Sequence, residues 1–320
     1  MQVYQTKLRS GISRTKEFER KKLAGFAVNI GTKCGHGCKY CSTGALLRMH
    51  PSFVKTGRSS FEQGFAIVDP DTPQRVARDA KRIRERGMVQ VCTTVDAWSP
   101  EAQAHDLGRR CLEAILPEPG WTVRILTKNA AVARDFDVIE RYRDRVMLGL
   151  SVTATPQKAE VIRAVEPDAS PVPDRIAVLR EAHQRRLRTY AMLCPLLPGI
   201  ADGPEQIDEL VSIAAAHGAE ELFTEPVNAR GPGLRLTEQA LEQSGYSTEA
   251  TATHRIRRTS DWSTYVVELI RNVQRSVRQT YDIANLRVLL YPSRLAACDV
   301  ATIRQDDAGV IWLDKSKAPV

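Results

Sequence analysis

From Phe26 to Val227 the chain alternates short, β-branched apolar runs with longer stretches whose apolar residues recur at helical spacing. FAVNI (26–30), VQVCTTV (89–95), TVRILTKN (122–129), VMLGLSVT (146–153), RTYAMLCPL (188–196) and ELFTEPV (221–227) read as six strands. Between them, PQRVARDAKRIRERG (73–87), PEAQAHDLGRRCLEAIL (100–116), DFDVIERYRD (135–144), PDRIAVLREAHQRR (173–186) and PEQIDELVSIAAAHG (204–218) read as helices, several opened by Pro or closed by Gly. This alternation predicts an α/β fold built on parallel strands, a partial (β/α)6 TIM-like barrel. In such folds ligands sit where the strands run out into loops.

Two segments break the rhythm. Residues 42–72 form a 31-residue connection, too long for a turn and expected as a flap over the barrel mouth. After Val227, NARGPGLRLT (228–237) reads as a linker, and a helix from Trp262 to Tyr281 places Trp262, Val266, Leu269, Ile270, Val273 and Val277 on one face. Arg271, Arg275 and Arg278 line a neighbouring face, which reads as a solvated flank or, alternatively, an anion-contacting surface. The expected organisation is an N-terminal arm (1–23), the partial barrel (24–227, with the 42–72 flap) and a helical/β C-terminal extension (228–320).

Composition changes this picture little. With 320 residues, 42% of them apolar, the chain has material for a sizeable core, and no run approaches a membrane span. The N-terminus lacks the apolar stretch of a signal peptide, so a cytoplasmic location and no membrane partner are expected. The net charge of +8 favours an anionic partner, but its arginines are scattered. Seven cysteines, an odd and unevenly spread set, point to metal or redox chemistry rather than a disulfide framework.

Three of those cysteines fall in CGHGCKYC, as Cys34, Cys38 and Cys41, just after the first expected strand. Structural zinc needs four protein ligands, so His36, His50 or a distant cysteine would have to complete the set. A four-iron cube held by three thiolates instead keeps one iron open, and Gly35 and Gly37 let the backbone wrap it. The CxxxCxxC spacing, with Tyr40 before the last cysteine, resembles the radical S-adenosylmethionine superfamily. That resemblance implies a 4Fe-4S cluster, S-adenosyl-L-methionine bound at its open iron, reductive cleavage to a 5'-deoxyadenosyl radical, hydrogen abstraction from a substrate, and an electron donor such as flavodoxin or ferredoxin.

The blocks AVNIGTKCGHGCKYC, CTTVDAWSPE, VRILTKNAAVARD, LGLSVTA, VEPDASPVPDR and CPLLPGIAD, in this order over residues 26–202, further resemble the spore photoproduct lyase-like branch, also called DNA repair photolyase-like. Position by position, the resemblance makes Lys128, Ser151 and Thr93 contacts to S-adenosylmethionine, and Cys92 the thiol that returns a hydrogen atom to the product radical. Cys92 is equally readable as a small buried hydrophobe. Tyr40, Asp96 and Glu166 are further cofactor-binding candidates, Glu166 also as a salt-bridge partner of Arg175, while Glu101 fits the first turn of a helix. Cys194 is a possible cavity residue, and Cys111 and Cys298 read as structural.

The departures are STG after Cys41, where the photoproduct lyases carry an aromatic residue, the long connection that follows, and the tail after residue 227. Three functions therefore compete. The first is a lyase-like radical enzyme acting on a nucleic-acid base or pyrimidine photolesion, with Arg255, Arg257 and Arg258 meeting DNA phosphates. The second is radical modification of a peptide or small metabolite. The third is a non-catalytic iron-sulfur protein.

Overall fold

The chain is described by a computed structural model that covers residues 1–229 and 231–313. Its strands, in chain order, are β1 (Gln2–Gln5), β2 (Ser13–Arg14), β3 (Phe26–Val28), β4 (Gly31–Lys33), β5 (Phe65–Val68), β6 (Met88–Val91), β7 (Thr122–Thr127), β8 (Val146–Ser151), β9 (Thr189–Leu196), β10 (Ala219–Pro226), β11 (Leu286–Leu290) and β12 (Val310–Trp312). Nine of them form one sheet in the order β12-β11-β10-β9-β8-β7-β6-β3-β2, parallel throughout except for the antiparallel edge pair β2–β3. All six expected strands lie in this sheet. Two more, β11 and β12, come from the C-terminal extension and continue it without a break.

The sheet buries both faces, as parallel sheets do. One face packs under helices such as Thr72–Arg82, Leu107–Ile115, Val172–Gln184, Pro204–Ala216 and Thr259–Thr280. The other gathers Met147, Tyr190, Met192, Phe223, Leu289 and Ile311 into a second apolar cluster that also takes in Leu23 from the N-terminal arm. Gly149 makes room for it: a Cβ there would sit 2.1 Å from the Tyr190 ring. Beside that cluster the short helix Lys16–Arg20 brings Phe18 against it, and the Tyr291 hydroxyl donates to Glu17. The arm thus joins the β3 edge of the sheet to strands from its far side.

Several boundaries differ from the sequence reading, each for a local reason. The first strand leaves the large sheet after Val28, and Gly31–Lys33 pairs instead with β5, which itself pairs with β1. Gly31 permits this close approach, since a Cβ would lie 2.1 Å from the Ile67 carbonyl oxygen. The 42–72 connection is consequently no simple flap: it contains the helices Thr43–Leu46 and Pro51–Thr56 and the central strand of a three-stranded sheet. The expected helix 100–116 breaks into Pro100–Gln103 and Leu107–Ile115 around Asp106, whose φ is +49°. The expected linker 228–237 already holds the start of helix Gly233–Gln243. Arg275 and Arg278 do line a solvated flank, paired with Asp208 and Asp306 at 3.3 and 2.8 Å. Among the described residues no helix is long and apolar enough to cross a membrane.

Candidate active site at the strand ends

The C-terminal ends of β6 to β11 and the cysteine loop surround a cavity of about 250 Å³. Cys34, Cys38, Cys41, Tyr40, Cys92, Thr93, Asp96, Lys128, Ser151 and Cys194 all line it. Residues separated by more than a hundred positions in sequence meet here because parallel strands deliver all their C-terminal loops to one face.

The cysteine loop is fastened from several sides. The backbone N–H of Gly35 donates to Glu101 Oε1 at 2.8 Å, a carboxylate that also accepts from Ser99 Oγ at 2.5 Å. The backbone N–H of Lys39 donates to the Val165 carbonyl at 2.9 Å. Burial pushes the Cys34 and Cys38 thiols up, Cys38 to about 12, and for Cys34 the neighbouring Cys41 and Cys38 add to the effect. Three soft sulfur donors on one loop beside a cavity suit an iron-sulfur cluster, in which each thiolate would take a separate iron. Neither nearby histidine completes a zinc set: His36 lies between Asp96 at 3.6 Å and Asn129 at 3.4 Å, and His50 Nδ1 caps its own helix at Ser52. Among the described residues, no three His, Cys, Asp or Glu side chains converge on a single ion position. A cube, whose ligands bind different irons, does not require them to.

Beneath Tyr40 lies the most buried charge network among the described residues. Glu166 accepts from the Tyr40 hydroxyl, from Thr153 Oγ1 at 2.8 Å and from Arg175, with Lys128 Nζ 3.6 Å away. Burial alone would raise the Glu166 carboxyl, but the Arg175 and Lys128 charges outweigh it and hold it at about 2. Arg175 also donates to the carbonyls of Ser170 and Ser151 at 2.6 and 3.1 Å, so it ties β8 to the loop after it. Glu166, a cofactor-binding candidate from sequence, is 1% exposed and does not line the cavity. Its oxygens are spent on positioning Tyr40, Lys128 and Arg175, as the salt-bridge alternative implies.

Asp96 lines the cavity, yet its oxygens are also engaged: Trp98 N, Thr127 Oγ1 and Lys128 N donate to it at 2.8–2.9 Å. It shapes the turn that presents Lys128. Lys128 Nζ reaches the Cys194 carbonyl at 3.3 Å and stands 5.7 Å from the Tyr40 ring centre. Ser151 ends β8 at the cavity wall. Thr93 is held by Asn29, whose Oδ1 accepts from the N–H of Thr93 and Thr94 at 2.9 and 3.0 Å. Cys92 is 4% exposed, and burial pushes its thiol well up. Cys111 lies wholly within the helix layer and Cys298 is exposed, both away from this cavity.

Cavity or support residues that the sequence reading does not single out include Asn29, Lys21 and Glu225. Asn29 and Glu225 are polar residues at strand ends, which was the available signal. Lys21 carried none, because only folding brings the N-terminal arm to this side.

The arrangement can be set against known proteins. No protein-family model matches the chain. Among solved structures, spore photoproduct lyase complexed with dinucleoside spore photoproduct aligns over 87% of this chain and 79% of that one, with a TM-score of 0.58 at 17% identity. A cysteine-to-alanine variant of that lyase gives 0.60 at 16% identity over the same shares. The fold is that of spore photoproduct lyase. A further variant of the lyase was solved with bound AdoMet and the dinucleoside spore photoproduct. In sequence, an uncharacterized protein of Acidianus two-tailed virus is 26% identical over 222 residues, 68% of this chain and 72% of the viral one. An uncharacterized protein of Mycobacterium tuberculosis is 25% identical over 208 residues, 64% of this chain and 59% of the mycobacterial one. The aligned segment therefore spans less than two thirds of that relative's length.

Proposed function

We propose that this chain is a radical S-adenosylmethionine enzyme of the spore photoproduct lyase-like kind, acting on a nucleic-acid base. The observation that carries the reading is the convergence of Cys34, Cys38 and Cys41 with Lys128, Ser151, Thr93 and Cys92 on one cavity at the ends of parallel strands. The three thiolates are the ligands for a 4Fe-4S cluster. When bound, that cluster with S-adenosylmethionine supplies a 5'-deoxyadenosyl radical.

The chain's own residues orient and shield. Lys128, pre-positioned by Asp96 and Glu166, presents an ammonium to the carboxylate of the cofactor, and Ser151 offers a hydroxyl, while the Thr93 hydroxyl at the cavity wall is held by the Asn29 side chain at 2.8 Å. Val95, Leu126, Met192 and Leu289 give the cavity apolar walls that keep water from a reactive intermediate. Cys92 reaches the same space as an intact thiol, whose weak S–H bond suits it to return a hydrogen atom to a carbon-centred product radical. A nucleic-acid substrate is supported by the fold likeness to a lyase solved with a dinucleoside lesion. It is also supported by a cleft of about 1040 Å³ lined by Arg255, Arg257 and Arg258.

The deciding experiment is anaerobic reconstitution with iron and sulfide, followed by dithionite and S-adenosylmethionine. The wild-type protein should release 5'-deoxyadenosine, and Cys34→Ala should reduce release to background; undiminished release from that variant would overturn the cluster assignment.

A further inference from the structure

One wall of the cavity carries charge that the scheme above does not use. Lys21 from the N-terminal arm and Glu225 from the end of β10 both line it. Glu225 is the strongest cation-favouring neighbour of Lys21, yet the two make no ion-pair contact within 4.0 Å. Their other neighbours are accounted for. Lys21 stands 5.4 Å from the ring centres of both Phe18 and Tyr291 and feels Glu17. Among the described residues, Glu225 accepts only a weak bond from the Cys194 thiol, at 3.7 Å.

Glu225, Tyr291 and Glu17 outweigh the desolvation of Lys21 and keep its ammonium charged at the cavity wall, while Glu225, engaged among the described residues only by the Cys194 thiol, keeps acceptor capacity toward the cavity. A ligand with an acceptor and a donor side by side meets both groups. The surrounding wall, Phe18, Met192, Pro195, Pro226 and Leu289, is apolar and suits the face of a flat ring. A flat ring whose edge reads C=O next to N–H is a cyclic imide or lactam, as in a pyrimidine base.

We infer that Lys21 and Glu225 are the substrate-recognition pair, Lys21 donating to a ring carbonyl and Glu225 accepting from the adjacent ring N–H of a pyrimidine-type base. This rests on the nucleic-acid reading of the same cavity and names the residues that select the base. Hydrogen bonds to charged partners contribute enough that losing either should weaken binding about tenfold or more.

The test is equilibrium binding of thymidylyl-thymidine, measured by calorimetry on the reconstituted wild-type protein and on Lys21→Met and Glu225→Gln. Both variants should bind about tenfold or more weakly. The companion ligand, the same dinucleotide methylated at both thymine N3 positions, should lose a similar factor on the wild-type protein, an arm that depends on no variant folding. Equal binding of the methylated and unmethylated ligands would overturn the assignment. So would no detectable binding of the unmethylated one at millimolar concentration, or binding of a blocked dipeptide amide through the same two residues in its place. Release of 5'-deoxyadenosine by the wild-type protein reads the radical assignment separately. If release fails while the binding pattern holds, it is the radical reading that falls.

Discussion

Glu166 shows how a residue can matter to the site without touching a ligand. Its carboxylate is buried, yet held at about 2 by Arg175 and Lys128 against a desolvation that acts the other way. A folded-state value below the ordinary 4.5 stabilises the native chain fully above 4.5, and that contribution is lost as the pH falls toward 2. Urea midpoints of the wild-type protein should therefore drop between pH 5 and pH 3, with part of that drop absent in Glu166→Gln. The variant should also be less stable at neutral pH by about 3 kcal/mol, because Arg175 is left charged and 1% exposed. Cys92 belongs to the same scale. Cys92→Ala should leave 5'-deoxyadenosine formation intact while product yield falls and substrate-derived radical adducts accumulate; normal product at normal yield would remove the donor role.

At the scale of elements, the decisive event is the departure of the chain from the large sheet between Val28 and Gly31. It aims the cysteine loop at the cavity and lets residues 31–33 join a second sheet with β5. Gly31→Ala places a Cβ against the Ile67 carbonyl, a backbone atom that no rotamer change can move. Loss of about 3 kcal/mol in denaturant unfolding is expected, together with reduced iron retention after reconstitution. An unperturbed melt would show that the close approach is not required. The alternation of apolar runs made all six central strands legible, because each run is long enough to bury both faces. The 42–72 segment was not legible, since FAIV (65–68) reads as an isolated apolar tetrad until Gln2–Gln5 and Gly31–Lys33 flank it in space.

For the whole molecule, the arm and the tail complete what the central units begin. Leu23 packs with Leu289 and Ile311, and Tyr291 meets Glu17, so opposite ends of the chain share one inner core beside the cavity. The arginine cleft lies on this scale too. His254 and Arg257 pair with Glu238, at 2.9 and 3.0 Å, whereas no hydrogen bond or ion pair engages the side chains of Arg255 or Arg258 among the described residues. If these two meet phosphates, Arg255→Ala/Arg258→Ala should weaken duplex DNA binding and reduce the slope of log affinity against log salt by about 2. An unchanged slope would place the nucleic acid elsewhere.

The amino-acid sequence by itself determined the α/β class, the six central strands and the three-cysteine loop, because periodicity and short-range spacing are local properties of the chain. It also brought Lys128, Ser151, Thr93 and Cys92 to attention, all close to strand ends. What only tertiary structure decided is which groups share the cavity and which are already spent. Asp96 and Glu166 turned out to be committed to neighbours 31 and 9 residues away. Lys21 and Glu225, 204 positions apart in the chain, came to line the same cavity. Burial and hydrogen-bond partnership are properties of surroundings that distant segments supply, and no local pattern encodes them.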